Sequence, residues 1–280
     1  MRFCRAAYYI KGVFMDFTVC PSRKDDEKEL RALWSAVFGD GDDFLNPFFS
    51  MMYSSGGALT AHADGKLAAS VYPLDVGRIM TKDGEYPCTM IYALGTLPEY
   101  RKQGLASALM RECSGITVLR PATEKLFDFY SALGYEPLFY CGDATFTSDM
   151  ICSDGDVRAE RIGFSDYGAM RERLLDGCLH IRYNDRALRF EEHLCSGGGM
   201  FALSGGVSGV CAVERYLNTA YVKELILQGG AVEDAMPAIK KAVPADKYRV
   251  RSLSDGGGTP FAMARGLPGA ERGWYGFAFD

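Results

Sequence analysis

Histidine is scarce in this chain of 280 residues, and its nine cysteines are widely scattered. The three histidines, His62, His180 and His193, share no spacing typical of metal ligands, and no two cysteines form a Cys-x-x-Cys pair. Because metal sites bring several such ligands together over short stretches of chain, we expect no metal and no histidine-dependent nucleophile. An odd number of scattered cysteines is typical of reduced thiols, so we also expect a cytoplasmic protein.

Long apolar runs and an excess of positive charge are missing as well. The longest uncharged stretch, residues 195–213, contains six glycines and three serines, which predicts a glycine-rich hairpin and not a membrane-spanning helix. The net charge of −5 and the pI near 5.4 argue against an extended positively charged surface that would bind nucleic acid or an anionic membrane. We therefore expect neither a nucleic-acid partner nor a membrane, and the sequence leaves the oligomeric state open.

Apolar residues are plentiful, at 48% of the chain, and the length suffices for about two domains. The short polar stretch 152–158 predicts a linker between a first domain at 15–152 and a second at 159–280. Each half contains two strands around a tight turn, a further strand, a glycine-containing loop and a helix, which indicates an internal duplication. Residues 1–14 are predicted to be an N-terminal extension, with Met15 as the native start.

Hydrophobic periodicity predicts the individual elements of the first half. The apolar positions that follow Asp25 and Asp26 predict a helix that ends at Gly39. For the aromatic and methionine-rich helix at Phe44–Tyr53, both core packing and the wall of an acceptor pocket are consistent with the pattern. We further predict strands at Asp16–Cys20, Leu138–Tyr140, Thr145–Ile151 and Gly276–Asp280, and a hairpin with its turn at Asp64-Gly65.

The most informative segment, residues 95–107, joins a strand to a helix through a basic turn that contains glycine. The first N–H groups of a helix lack intrahelical partners and carry the positive end of the helix dipole. Gly104 and Ala106 allow a phosphate to approach the backbone closely, and Arg101 and Lys102 add positive charge. The segment therefore predicts a pyrophosphate-binding turn. It is not a P-loop, because no Gly-Lys-Ser/Thr follows, and it lacks the three glycines of a dinucleotide-binding fingerprint.

Two motifs in this half resemble those of the GCN5-related N-acetyltransferase (GNAT) superfamily. Arg101-x-x-Gly104-x-Ala106 is similar to the family's Arg/Gln-x-x-Gly-x-Gly/Ala motif, and the preceding strand and Pro98-Glu99-Tyr100 are similar to its usual lead-in. Residues 128–135, DFYSALGY, resemble the family's later Phe-Tyr-x-x-x-Gly-Phe/Tyr helix. The two motifs occur in the family's order with a strand between them, and the resemblance covers residues 16–150.

The resemblance implies an α/β (α+β) fold with a mixed, largely antiparallel central sheet flanked by helices. A second, degenerate GNAT-like domain would follow, in a tandem arrangement similar to that of the enhanced-intracellular-survival-type acetyltransferases. The family uses acetyl-CoA, whose thioester an amine attacks directly. Tyr130 would then protonate the departing thiolate. The residues that the resemblance assigns to the pantetheine arm and the pyrophosphate are Leu94, Gly95, Thr96, Arg101, Lys102, Gln103, Gly104, Leu105, Ala106 and Ser107.

Two departures from the family pattern leave alternatives open. Residues 89–96 contain no carboxylate, although many family members carry a glutamate there to deprotonate the amine. The base is therefore open among Asp280, Glu85, Asp75 and a water molecule. In the second half, residues 227–231 contain no arginine or lysine. That half is predicted to lack a coenzyme site and to shape the acceptor cleft, with an unrelated α+β domain as the alternative.

These patterns together predict an N-acetyltransferase that acts on the primary amine of a small molecule or peptide. The acidic balance of the chain favours a cationic amine. The alternative is a GNAT-like protein that binds coenzyme A without turnover, as a sensor or structural module. The missing strand carboxylate supports this alternative, whereas Tyr130 and the basic turn argue against it. For Tyr130 itself, the other interpretation is a helix residue that packs on the sheet.

Overall fold

The computed structural model describes residues 4–10, 13–54, 56–152, 155–253, 257–267 and 271–280. Parts of the predicted N-terminal extension and of the predicted linker lie outside these residues. Within the extension, strand β1 (Cys4–Ile10) pairs antiparallel with β2 (Val13–Pro21), which contains the strand predicted at Asp16–Cys20. The native start at Met15 stays a prediction.

The remaining described elements combine helices with runs of two or three consecutive strands. The helices are α1 (Glu27–Phe38), α2 (Asp42–Met51), α3 (Leu105–Glu112), α4 (Glu124–Ser131), α5 (Phe164–Leu174), α6 (Asp185–Leu194) and α7 (Val232–Ala242). The strands of the first half are β3 (Leu59–Ala63), β4 (Lys66–Thr81), β5 (Gly84–Thr96), β6 (Thr117–Leu119) and β7 (Glu136–Thr147). Those of the second half are β8 (Arg158–Ile162), β9 (His180–Tyr183), β10 (Gly199–Ser204), β11 (Ser208–Tyr216), β12 (Thr219–Gln228), β13 (Lys247–Ser252) and β14 (Thr259–Arg265).

The strands of the described residues form one sheet, in the order β1-β2-β3-β4-β5-β6-β14-β7-β13-β12-β11-β10-β8, with β9 paired to β4. Only the pairs β5–β6 and β12–β13 are parallel. Helices cover the faces of this largely antiparallel sheet, so the expected fold class is confirmed. No helix of the described residues is long and apolar enough to cross a membrane.

Local sequence signals place most elements correctly. Helix α1 ends at Gly39, which adopts the left-handed conformation with φ 83° and donates its N–H to Ser35. Asp64 and Gly65 both have positive φ in the β3–β4 turn, as a tight hairpin turn requires. Asp26 stands at the N-cap of α1, but its carboxylate accepts a hydrogen bond from the N–H of Arg23 and does not cap the helix.

Three predicted strands differ from the structure, and the differences concern long-range pairing. The strand expected at 138–140 and the first part of the strand expected at 145–151 belong to one continuous strand, β7, because its two ends pair with β14 and β13 respectively, and residues 148–150 form a short 3-10 helix. The apolar residues 276–280 form no strand. They run as a buried extended segment in which Phe277 and Phe279 pack into the core.

Strand β14 joins the two halves of the chain. Although it lies far along the second half, it inserts between β6 and β7 and pairs antiparallel with both. The predicted division at 152–158 therefore does not separate two independent sheets. The C-terminal residues are held by the second half as well, because Trp274 donates its indole N–H to the buried carboxylate of Glu224 at 2.6 Å. Arg171 and Tyr167 bind the same carboxylate.

Candidate active site

Strand β5 carries a bulge near its end. Tyr72 of β4 pairs with Tyr92, and Ser70 pairs with Gly95, so Ala93 and Leu94 together face one residue of β4. Ala93 has φ 45°, a backbone conformation that alanine seldom adopts. A bulge of this kind leaves backbone groups without ladder partners and redirects the strand, and here it does so at the predicted site.

Beyond the bulge, β5 separates from its parallel neighbour. Thr89 and Met90 pair with β6, and no ladder pair joins the two strands beyond them among the described residues. The backbone of Leu94 and Thr96 therefore has one edge free of strand pairing. Gly95 faces helix α1, where a Cβ atom would press on side chains of Leu33, Val37 and Phe38 at 3.2–3.4 Å; the helix therefore packs closely on the strand because residue 95 is a glycine.

The basic turn leads directly into α3. Lys102 has φ 61°, Gly104 has φ 83°, and both residues lie just before the helix begins. No side chain caps α3, and its first turn contains no acidic residue, so its first N–H groups are free to bind an external anion. Arg101 donates its Nε–H to the main-chain oxygen of Thr96 at 3.2 Å, which ties the turn to the strand end.

The predicted turn residues play different parts. Arg101 and Lys102 are exposed, and Gln103, Gly104, Ala106 and Ser107 are half-buried. The side chain of Leu105 is buried in the core, so only its main chain is available to a ligand. Gln103 donates from its side-chain amide to the main-chain oxygen of Glu99 at 3.1 Å, a contact internal to the turn.

Tyr130 lies on α4 and lines a cavity of about 370 Å³ with Leu94 of the bulge. Its ring is in edge contact with Tyr135, with centroids 5.9 Å apart. Burial raises the pKa of Tyr130 to about 12, with a smaller contribution from Tyr135. The phenol therefore remains protonated at neutral pH and can donate a proton.

The rest of the lining of this cavity, which we call the Tyr130 cavity, is largely aromatic and includes two carboxylates. Its rings come from helices α1 and α2, strand β5 and the C-terminal segment, and they include Trp34, Phe44, Tyr92 and Phe279. The carboxylates are Asp40 and Asp280. Of the Phe44–Tyr53 aromatics, Phe48 and Phe49 are buried in the core, which confirms core packing for these residues. Phe44 lines the cavity, and its place in the wall of an acceptor pocket stays a prediction.

Asp40 was missed by the sequence reasoning. It follows the glycine that ends α1, and its Oδ2 accepts a hydrogen bond at 2.8 Å from the indole N–H of Trp34. Nothing in the local sequence distinguishes it from an ordinary polar residue after a helix. Arg120, which follows β6, was missed for the same reason, and it also lines the cavity.

Of the acids weighed as bases, Asp280 alone lines the Tyr130 cavity. Glu85, in the β4–β5 hairpin, forms ion pairs with Arg78 at 3.2 Å and with Arg182 of β9. Asp75 accepts a hydrogen bond from the N–H of Gly77. Neither acid borders the cavity in which Tyr130 lies.

Asp280 is held by three cations. Its side chain binds Arg120 at 2.6 Å and Arg251 at 3.0 Å, and Lys223 lies 3.8 Å away. Burial acts to raise the pKa of the Asp280 side chain, but the three cations outweigh it and hold the pKa well below its ordinary value. The carboxylate is therefore ionised at neutral pH. Among the described residues, no group of three His, Cys, Asp or Glu side chains is placed to hold a metal ion.

Comparison with known proteins relates the first half of the chain to a known family. Residues 18–138 match the family model described as an acetyltransferase (GNAT) domain. The resemblance seen in the two motifs is thereby confirmed, and the GNAT domain supports acyl transfer as the general activity. The bulge, the basic turn and Tyr130 all lie within the matched residues.

Solved structures share the fold over most of the chain, not only over the GNAT domain. A probable N-acyltransferase from Enterococcus faecalis V583 is 15% identical, with a TM-score of 0.65 over 89% of this chain and 72% of that one. Eis1 from Mycobacterium abscessus is 13% identical, with a TM-score of 0.59 over 89% and 73%. A putative acetyltransferase from Pyrococcus horikoshii is 11% identical, with a TM-score of 0.58 over 97% of both chains. No curated protein matches by sequence.

Proposed function

We propose that this protein is an N-acetyltransferase that transfers the acetyl group of acetyl-CoA to a primary amine of a small molecule or peptide. The observation that carries the proposal is the continuous path from the β5 bulge at Ala93 to the uncapped N-terminus of α3. Unpaired backbone along the strand suits the amide-rich pantetheine arm, and the free N–H groups of α3 suit the pyrophosphate.

The coenzyme would lie along residues 94–107, with its thioester in the Tyr130 cavity. Leu94, Gly95 and Thr96 would offer main-chain groups to the pantetheine. Lys102 and Arg101 would add charge beside the diphosphate, where charge-assisted hydrogen bonds are strongest.

Transfer would proceed by direct attack of the amine nitrogen on the thioester carbonyl carbon. As the C–S bond breaks, the electron pair remains on sulfur, and Tyr130 gives its phenolic proton to the thiolate. The amine must lose a proton, for which Asp40 and a cavity water are candidates. The Asp280 side chain is a poorer base because three cations hold its carboxylate in the ionised form.

We also propose that the second half is a GNAT-like domain without a coenzyme site. Helix α7 occupies the position that corresponds to α3 in the internal duplication, but its N-terminus carries Glu233 and Asp234. The Asp234 carboxylate accepts a hydrogen bond from the N–H of Ala231 at 2.8 Å. A diphosphate would meet negative charge there in place of free N–H groups.

Two measurements test the proposal. Isothermal titration calorimetry should detect coenzyme A binding, and thiol release from acetyl-CoA should occur with some members of a panel of primary amines. Absence of coenzyme binding would overturn the proposal. Binding without thiol release from any amine would favour the alternative, a coenzyme-binding module without turnover.

A further inference from the structure

A second cavity, of about 480 Å³, lies above strands β12 and β13; we call it the β12–β13 cavity. Its floor is one face of the sheet, where Tyr221 stands opposite Arg249 and Asp143 stands opposite Arg251. Side chains two residues apart on a regular strand share a face, which places Arg251 beside Arg249. Lys223 lies at a bulge of β12 and lines the same cavity as Tyr221. The floor is therefore a patch of cations and aromatic rings.

Four cations and three carboxylates line the β12–β13 cavity, but the carboxylates are largely occupied. Glu214 binds the buried Lys223 at 2.7 Å, and Asp280 binds both Arg120 and Arg251. The third, Asp143, is exposed at the edge of the floor. Excess positive charge thus remains on the guanidinium groups.

Arg249 has the greatest freedom to bind a ligand. It is exposed and makes no ion pair with a carboxylate of the described residues. Its guanidinium lies 5.9 Å from the ring centroid of Tyr221. Nearby, the ring of Phe261 lies between Arg120 and Arg251, at 5.0 and 4.2 Å from their Cζ atoms. Planar guanidinium groups held by stacking bind oxyanions in two-point geometry.

The β12–β13 cavity and the Tyr130 cavity adjoin each other, since Arg120 and Asp280 line both. The charges on either side of this ion pair differ. The Tyr130 cavity adds the Asp40 carboxylate and an aromatic wall, which suit an ammonium group, whereas the β12–β13 cavity adds Arg249 and Arg251. A ligand that spans the two cavities would meet opposite charges at its two ends.

We propose that the β12–β13 cavity binds an oxyanion of the acceptor, so that the acceptor is an amine that also carries a carboxylate or phosphate-like group. The inference rests on the proposed acetyl transfer and narrows its acceptor class. This acceptor class differs from the cationic amine expected from the net charge of the chain. The reason is that the cations lining the β12–β13 cavity, and not the charge of the whole chain, act on a bound acceptor.

Matched acceptors test the inference. The kcat/KM for thiol release is compared between ω-amino carboxylates of graded length, 6-aminohexanoate among them, and the corresponding alkylamines, and between 3-aminopropylphosphonate and propylamine. At least one oxyanion-bearing amine should be preferred over its plain amine by about tenfold or more, the value of a hydrogen bond to a charged group. Preference for the phosphonate alone would identify a phosphate as the group bound.

Arg249→Gln should reduce that preference by a similar factor, and Arg249→Lys should restore part of it. Lys247→Gln is the matched control, because it removes a cation from the same strand outside the cavity lining. Equal kcat/KM for oxyanion-bearing and plain amines, or a preference unchanged by Arg249→Gln, would overturn the inference while leaving acetyl transfer intact.

A binding measurement separates this inference from the proposed function. Calorimetry should detect 6-acetamidohexanoate or 3-acetamidopropylphosphonate with the wild-type protein, and binding should weaken about tenfold in Arg249→Gln. If no amine is acetylated but this binding is found, the proposed function fails and the oxyanion site stands. If neither probe binds the wild-type protein, the oxyanion site is wrong.

Discussion

The hydroxyl of Tyr92 donates a hydrogen bond to the main-chain oxygen of Phe279 at 2.6 Å. The bond joins strand β5, just before its bulge, to a segment that lies 187 residues away in the chain. The two rings also meet edge to face, with centroids 6.0 Å apart. The C-terminal segment therefore forms a wall of the Tyr130 cavity because β5 holds it there.

Tyr92→Phe should loosen that wall. The carbonyl of Phe279 loses its partner, at a cost of about 1 kcal/mol in the free energy of unfolding, and the less ordered cavity wall should lower turnover. Urea unfolding and thiol-release kinetics measure the two effects. Tyr86→Phe, on the exposed part of the same strand, should change neither, and equal effects of the two substitutions would contradict this role for Tyr92.

Reversing the charge of the basic turn should weaken coenzyme binding. In the double variant Arg101→Glu and Lys102→Glu, two cations beside the diphosphate become anions, so the Kd for coenzyme A should rise at least about tenfold at low salt. Calorimetry at two salt concentrations measures the change. The control variant, Lys24→Glu with Lys28→Glu, makes the same change in net charge on the exposed surface before and within α1. A similar loss of coenzyme affinity in this control would show that the charges of the basic turn have no specific effect.

Tyr130→Phe should separate catalysis from binding. Removing the proton donor should lower kcat by about a hundredfold, with the Kd for coenzyme A nearly unchanged. Tyr135→Phe is the matched control, since that hydroxyl lies 2.7 Å from the Thr117 hydroxyl in the core. It should lower stability and leave kcat close to that of the wild type. Normal turnover in Tyr130→Phe would show that another group protonates the thiolate.

Glu191 should make stability depend on pH. Burial is the main reason that the pKa of Glu191 rises from 4.5 to about 8. The cations Lys223 and Arg251 oppose this rise, and the carboxylates Asp280 and Glu214 add to it. Between these two pH values the folded protein holds a proton that the unfolded chain has lost. Raising the pH through this interval therefore reduces the free energy of unfolding.

Glu191→Gln should remove that slope. Its stability relative to the wild type should increase from pH 5 to pH 8, by an amount on the order of a few kcal/mol. Denaturant unfolding at several pH values measures it. The exposed Glu233 of α7 supplies the control, because Glu233→Gln should leave the slope as it is. If the free energy of unfolding depended on pH in the same way in Glu191→Gln and in the wild type, Glu191 would not hold a proton in the folded protein.

The turn before α3 and the helix that carries Tyr130 could be predicted because their signals are local. Gly104 and Lys102 take positive φ within a few residues of a helix start, and Tyr130 lies on a helix that its own motif predicts. Helix α1 follows from its hydrophobic period and from the glycine at its end in the same way. Such features depend on neighbours in sequence, so one sequence is enough to find them.

The rest of the cavity depends on contacts between distant parts of the chain. Asp40, Arg120 and Asp280 come from three segments with no shared motif, and only in the folded chain do they line one cavity. Strand partners are chosen by the packing of whole faces, which local pattern does not encode. The sequence by itself determined the helix start that follows the basic turn and the helix that carries Tyr130, and the tertiary structure decided which charged side chains line the Tyr130 cavity, because only packing brings those residues together.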